Sequence, residues 1–399
     1  MRIFQVIEGA SNEAVAGSQT WYRNLYEPLI EMGHDVCFFA STEGRIAMQR
    51  NDSAARAVFS QKLLDTFRSE HARQPFDLFF AYLMNGMVEF GAIDEIRKSG
   101  VPTCNFSCNN IHQFFVVDKI SSHFDYNLHA ERDAREKFLA IGATPIWWQM
   151  ASNPKYYKPR DLPRTIGVSF VGANYALRAK YIAHLLQNGI DVHAYGPGWQ
   201  WGAASRWRSF AKRLKYLWLA LMARSPQSQY WASANLAEHD FRRSITARFP
   251  HNTHPPVSDD ELIALYSRSQ ISLGFLEVYE QNDASKAITQ HLHLREFEAP
   301  MSGALYCTGY SDELAEFFEP DKEVITYHNT HDMLDKIRFF LQHPAKADSI
   351  RQAGHARALC DHTYHKRFEQ LFAVLGLDKK GETHSSPNSG CERVKASAD

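Results

Sequence analysis

Two α/β domains built on doubly wound parallel sheets are what this sequence predicts, and three observations predict them. The opening residues read strand, small-residue loop, helix and strand, and that alternation recurs as far as residue 150. A second run of the same kind begins at Ile166. Between them, Asn153 to Arg160 (NPKYYKPR) gathers prolines, basic residues and a turn-forming asparagine, the composition of a linker. At 399 residues the chain is long enough for two cores of ordinary size, and 44% hydrophobic with 22% charged residues describes a globular protein.

Ile3 to Ile7 is a short apolar strand and Gly9 to Gly17 a small-residue loop. Thr20 to Glu31 predicts a helix, because Trp21, Leu25, Leu29 and Met32 fall near one face. Gly33-His34-Asp35 closes it, and Val36 to Phe39 is the next strand. The loop around Gly17 and Ser18 does not match G-x-G-x-x-G, so no dinucleotide site is read there. Helices follow at Ala54–Glu70 and Val88–Lys98, with strands at Phe76–Tyr82 and Val101–Phe106. Asn109 to His112 comes just after a strand, at the end where open α/β sheets place ligands. His112 is therefore a candidate base, the alternative being a solvated loop histidine. Cys104, Cys108 and His112 share a four-residue spacing, but three ligands without a fourth favour buried thiols over zinc. Ser122–Tyr126 is expected as a strand, Glu131–Ile141 as a helix and Pro145–Met150 as a strand.

The second domain opens with a strand at Ile166–Val171, the turn Gly172-Ala173-Asn174, and a helix over Leu177–Asn188 with Arg178 in its first turn. A glycine between strand and helix lets backbone approach a phosphate. The competing reading of Arg178 is a surface helix arginine. Ile190–Tyr195 is the next strand, closed by Gly196-Pro197-Gly198-Trp199. Gln200 to Ala237 contains no acid, while Trp207, Phe210, Leu214, Leu217, Trp218 and Leu221 recur at helical spacing. Arg208, Lys212 and Lys215 lie on another face. That is a basic amphipathic helix with aromatic anchors, suited to an anionic membrane interface or to packing as an insertion.

Asp259–Ser267 then predicts a helix and Ile271–Leu276 a buried strand. Tyr279–His291 is polar and loop-like, and His291-x-His293 suits packing or capping better than metal binding. Leu294 to Thr308 (LREFEAPMSGALYCT) reads as a helix start, a glycine turn at Gly303 and a short buried strand. Arg295 and Glu298 stand in its first turn, where a carboxylate could pair with ribose hydroxyls or simply be favoured by the helix dipole. A strand at Val324–Tyr327 and helices at His331–Gln342, Pro344–Gly354 and Tyr364–Leu375 complete the domain.

From Pro256 to about Leu371 this order resembles the C-terminal domain of the CgeB-like glycosyltransferases, relatives of the GT-B sugar transferases. The matching residues are Arg295-Glu296-Phe297-Glu298, Gly303, Ser311 to Leu314, Phe317 to Val324, Met333 to Ile337, Ile350 to Gly354, and His362-Thr363-Tyr364 with Arg367. The resemblance implies a GT-B fold: two facing Rossmann-like domains, residues 1–158 for the acceptor and 159–376 for a nucleotide-sugar donor. Residues 200–255 would be a basic amphipathic insertion and 377–399 a disordered tail. It also implies that Glu298 holds the donor ribose, that Gly172, Gly303, Arg178 and Arg295 meet the diphosphate, and that Gly196 lines the same site. Gly17 and Ser18 resemble the glycine loop that faces the cleft. In the wider family an E-x7-E pair flanks the central turn; Glu298 matches its second acid, and Gln290 stands where the first would fall.

The expected activity is metal-independent sugar transfer from a nucleotide sugar to a glycan, lipid or protein acceptor, needing no cofactor. The rivals are a nucleotide-sugar epimerase and a GT-B-like binding or structural protein without transferase activity. A net charge of −1 argues against nucleic acid as a partner, and six scattered cysteines suit a reducing cytoplasm. Residues before Glu8 are too few for a secretory leader, and the longest apolar run, Leu214–Ala223, falls short of the ~20 residues that span a bilayer. Cytoplasmic residence, peripheral to the membrane through Trp207, Phe210, Lys212, Lys215 and Trp218, is the expectation.

Overall fold

The computed structural model describes residues 1–9, 19–200, 203–223, 225–279 and 287–378. The first sheet is six-stranded and parallel: β1 (Arg2–Ile7), β2 (Asp35–Ala40), β3 (Leu78–Ala81), β4 (Thr103–Ser107), β5 (Tyr126–His129) and β6 (Pro145–Trp147), in the order β2-β1-β3-β4-β5-β6. Strands β1 and β3 carry apolar residues on both faces, as a sheet covered on both sides requires. Ile3, Leu78 and Phe80 enter one core, while Phe4, Phe79 and Ala81 enter the other. The accompanying helices are α1 (Glu27–Glu31), α2 (Thr42–Arg50), α3 (Ser53–Arg73), α4 (Phe90–Arg97), α5 (Asn110–Gln113) and α6 (Arg135–Ala140).

The second sheet is also six-stranded and parallel. It begins with β7 (Ile166–Val171), β8 (Val192–Tyr195), β9 (Thr253–His254) and β10 (Ser269–Leu273). A separate antiparallel pair follows, β11 (Glu277–Tyr279) with β12 (Ile288–Gln290), before β13 (Tyr306–Gly309) and β14 (Ile325–Tyr327) rejoin the sheet. The order β14-β13-β10-β7-β8-β9 reverses direction between β7 and β10, just as the first sheet reverses between β1 and β3. Ligands of open α/β sheets bind at the carboxyl ends of strands beside such reversals. Around this sheet lie α7 (Arg178–Gln187), α8 (Ala203–Met222), α9 (Pro226–Arg248), α10 (Asp259–Arg268), α11 (Arg295–Met301), α12 (Asp312–Ala315), α13 (Thr330–Gln342) and α14 (Pro344–Asp361), and the chain continues into α15 (Tyr364–Val374).

Four details differ from the sequence expectation. Residues 200–237 form no single helix but a hairpin, α8 and α9, because Ser225 starts a new helix with a capping box to Ser228 and Pro226 at its first position. The loop expected after Tyr279 contains β12, whose Ile288, Thr289 and Gln290 pair with β11. Ser121–His123 is a 3-10 turn rather than strand, since the Ser121 hydroxyl donates to the Val117 carbonyl at 2.8 Å. The last helix, α15, leaves the second domain and packs on the first. Phe368 lies 5.5 Å from Phe80 and 5.3 Å from Trp148, and the Trp148 indole donates to the Arg367 carbonyl at 2.7 Å. Burying each large apolar side chain contributes about 1.5–3 kcal/mol, so Phe368, Leu371 and Phe372 bind the two domains into one body.

Candidate active site between the domains

The first domain supplies a fixed loop. After β4, Asn109 takes a left-handed conformation at φ 63°, and α5 then carries His112 toward the second domain. Glu131, just beyond β5, accepts the Asn109 N–H at 2.6 Å and the Asn110 N–H at 2.9 Å. Its carboxyl is fully buried, which raises its pKa to about 7 against the pull of those backbone donors.

The second domain meets it with histidines. The His112 ring lies 4.9 Å from that of His291, which lies 4.2 Å from His293. His291 Nδ1 stands 3.6 Å from Glu131, yet the two are no ion pair at neutral pH, because burial and then His112 push His291 down to about 3. Its Nδ1 proton goes to the Leu292 carbonyl at 2.9 Å. Burial lowers His112 as well, assisted by Lys137, and takes His293 well below its usual range. Neutral imidazoles can accept protons or hydrogen-bond sugar hydroxyls. The solvated-loop alternative for His112 is set aside: its Nδ1 is buried and without a hydrogen-bond partner.

Arg178 is likewise no surface residue, being 4% exposed. Its guanidinium lies 3.9 Å over the Tyr175 ring, donates to the Ala173 carbonyl at 3.2 Å and approaches His293 Nε2 at 3.3 Å, while Nε has no partner. Arg295 also has a buried, unpartnered Nε, and Tyr266, Glu298, Tyr306 and Glu296 outweigh its burial to hold its pKa high. Glu296 accepts the Tyr306 hydroxyl at 2.8 Å and the His293 N–H, and burial raises it to about 7.

Other predicted residues are placed differently. Glu298 is 4% exposed; burial raises it to about 7, opposed by Arg295 and by the hydroxyl of Tyr157 in the linker. It is thus a buried carboxyl and no dipole-favoured surface acid, but its neighbours are protein groups. The three glycines present no free backbone donor to a phosphate. Gly172 N–H donates to Tyr195 at 2.8 Å, Gly196 N–H to His254 at 3.3 Å and Gly303 N–H to Pro300 at 2.9 Å. Gly196 is needed because a Cβ there would stand 2.4 Å from the Gly172 carbonyl oxygen; at Gly303 it would stand 2.8 Å from Pro159 of the linker. These turns serve close packing between loops. Gly17 and Ser18 lie outside the described residues. Gln290 lines an interdomain cavity of about 290 Å³ with His291, Arg132 and Glu313. Among the described residues no group of three His, Cys, Asp or Glu side chains is arranged to hold a metal ion.

The hairpin divides the five residues expected at a membrane. Trp207, Phe210 and Trp218 are 75%, 47% and 58% exposed along the outer face of α8, with Lys215 also exposed. Lys212 does not share that face. It lines a cavity of about 430 Å³ between the hairpin and the turns after β7 and β8. Sequence reasoning missed Glu131 and Glu296. An acid just beyond the carboxyl end of a strand, as Glu131 stands after Asn127-Leu128-His129-Ala130, was the signal for the first.

Two facing Rossmann-like domains with parallel sheets and a polar site between them are the GT-B architecture, and solved structures agree. A sucrose-phosphate synthase from Thermosynechococcus elongatus is 13% identical with a TM-score of 0.56, the match covering 94% of this chain and 99% of that one. Anabaena HepE in complex with UDP is 11% identical with a TM-score of 0.54, covering 94% and 100%. A glycosyltransferase from Rickettsia africae ESF-5 is 11% identical with a TM-score of 0.56, covering 95% and 99%. At such identities the likeness is one of fold. No curated protein matches the chain. Residues 178–373, however, match the family described as glycosyl transferase-like, and they include Arg178, His291, His293 and Glu298. The protein is a glycosyltransferase of the GT-B class.

Proposed function

We propose that the protein is a CgeB-like enzyme that moves a sugar from a nucleoside-diphosphate sugar to an acceptor hydroxyl without a metal ion. The observation that carries this reading is the His112 ring facing His291 across the domain boundary, with the buried Arg178–His293 pair directly behind it. His112, half-buried and with its pKa lowered by burial and by Lys137, takes the acceptor proton. Arg178 and Arg295 supply fixed positive charge where the nucleotide departs. Glu298 holds the ribose, exchanging its Tyr157 contact for a sugar hydroxyl. The HepE structures hold UDP and UDP-glucose, which supports a uridine donor as the first to test. Incubation with a panel of nucleotide sugars and candidate acceptors should release nucleoside diphosphate, with EDTA making no difference. Donor consumed without acceptor-dependent product would instead favour an epimerase, and binding without turnover a non-catalytic protein. Strict dependence on a divalent ion would remove the metal-free mechanism.

The outer face of α8 is the second part of this reading, and its occupant is an anionic bilayer. Trp207, Phe210, Leu214, Trp218 and Leu221 are exposed in one stripe, and residues 200–237 hold six Lys or Arg and no acid. Among the described residues no helix is long and apolar enough to cross a membrane, so this contact would be peripheral. The protein should sediment with vesicles containing anionic lipid and release as salt rises. Equal partitioning onto neutral and anionic vesicles, or none, would end this assignment.

A further inference from the structure

The glycine turns after β7 and β8 sit where a donor diphosphate is expected, yet the Gly172, Asn174 and Gly196 N–H groups are already engaged by backbone carbonyls. At those three positions anion recognition is left to side chains, and the α8–α9 hairpin brings basic ones near. The inner face of the α8–α9 hairpin closes over these turns and leaves the cavity of about 430 Å³. Its floor is Asn174 and Gly198, and its wall includes Lys212 and Tyr216 from α8, Arg242 from α9 and Tyr279 from β11.

The hairpin is fixed in that position. Ser209 Oγ lies 2.9 Å from His239 Nε2, Arg213 Nε donates to Asp240 at 3.0 Å, and Thr246 Oγ1 donates to the Trp199 carbonyl at 2.7 Å. Trp199 in turn donates its indole proton to the Gly172 carbonyl at 2.7 Å, so the hairpin and the two turns form one unit. Within the cavity Arg242 pairs with Glu238, but its Nε is buried with no partner. Lys212 has no carboxylate partner among the described residues, and its ammonium lies 5.9 Å from the Tyr216 ring. Two cations against one carboxylate leave a positively charged recess beside the glycine turns. Its size suits part of a nucleotide.

We propose that this hairpin is a wall of the donor site and that Lys212 and Arg242 grip the diphosphate of the nucleotide sugar. The proposal rests on the nucleotide-sugar reading above and deepens it: the donor is held by an insertion in addition to the two sheets. It gives the hairpin two jobs on opposite faces of one helix, with Trp207 and Trp218 outward and Lys212 inward. Lys212 is exposed and Arg242 half-buried at the rim, so neither substitution should unfold the chain.

Calorimetric titration of the full chain with UDP, uridine and inorganic pyrophosphate tests it. Lys212→Ala and Arg242→Gln should each weaken UDP and pyrophosphate about tenfold or more, as expected for a lost charge-assisted hydrogen bond, while affinity for uridine stays within about twofold. Lys322→Ala, on a distant surface turn, controls for loss of one positive charge and should leave all three affinities alone. If wild-type protein binds UDP and turns over donor but both cavity variants bind UDP equally well, the proposal is overturned and the glycosyltransfer reading stands. If pyrophosphate binds in a Lys212-dependent way but no nucleotide binds, the diphosphate site stands and the donor assignment falls.

Discussion

The interdomain cleft and the α8–α9 hairpin break opposite rules of protein interiors and surfaces. The cleft buries what ordinarily stays wet: Glu131, Glu296, Glu298, Arg178 and His291 are all 4% exposed or less. The hairpin exposes what ordinarily stays dry, with Trp207 at 75% and Leu221 at 81%. Scattered exposed apolar residues need no explanation, but a buried charge or a continuous apolar stripe does. In the cleft, paired acids, neutral histidines and arginines are held together at a cost in desolvation, which fits a site built to meet charge and hydroxyls. In the hairpin the cost is exposure of apolar area, which fits a surface built to meet lipid. Both are departures that the surrounding fold must offset, and both lie beyond the carboxyl ends of strands.

The comparison breaks most readily at His112. His112→Ala should lower kcat/KM by roughly 10²–10⁴, the range for losing a general base, with little change in melting temperature. Because burial and Lys137 lower the pKa of His112, the wild-type acid limb should fall below the ordinary histidine value of 6.5. A histidine acting only in packing would shift stability and leave the pH profile in place.

Glu298 gives the next effect. Glu298→Ala should weaken nucleotide binding about tenfold to a hundredfold, the value of a charged hydrogen bond of roughly 1.5–3 kcal/mol. Glu298→Gln should cost less, and a 2′-deoxy or 3′-deoxy donor should bind the wild type poorly yet lose little more in the mutant. Equal affinity of folded wild type and Glu298→Ala for the donor would sink the ribose assignment.

The buried carboxyls also make stability depend on pH. Glu131, Glu296 and Glu298 are each raised to about 7, above the unfolded value of 4.5, so the folded state binds more protons between those limits. Their contribution is fully present below pH 4.5 and is lost as pH rises through about 7. The melting temperature attributable to them should therefore decline over that window, and Glu298→Gln should make the slope shallower. An unchanged slope would mean that Glu298 is ionised in the folded protein.

The hairpin supplies the smallest effect. Trp207→Ala with Trp218→Ala should reduce binding to anionic vesicles at low salt while moving stability by no more than about 0.5 kcal/mol, since both side chains already face solvent. Loss of folding in that double variant would show that the stripe packs against protein instead.

Much of the architecture could be read from the chain alone. Period-two and period-3.6 patterning marked the β1–α1–β2 start and the β7–α7–β8 unit, because each local choice of residue agrees with the parallel sheet it enters. The central turn at 294–308 and the stripe of α8 were legible for the same reason. Glu131 was not, since its role depends on a loop 21 residues earlier in the chain folding back onto it. Nor did sequence show that the face carrying Lys212 would close over the turns after β7 and β8, as that depended on where the helix would be pressed against the domain. The reasons for the glycines were hidden too: Gly196 meets the carbonyl of Gly172, and Gly303 meets Pro159, residues far away in sequence. Local patterning determines which segments become strands and helices. Which polar groups end up buried together, and which apolar face stays bare, was decided only when two sheets and one inserted hairpin were packed against each other.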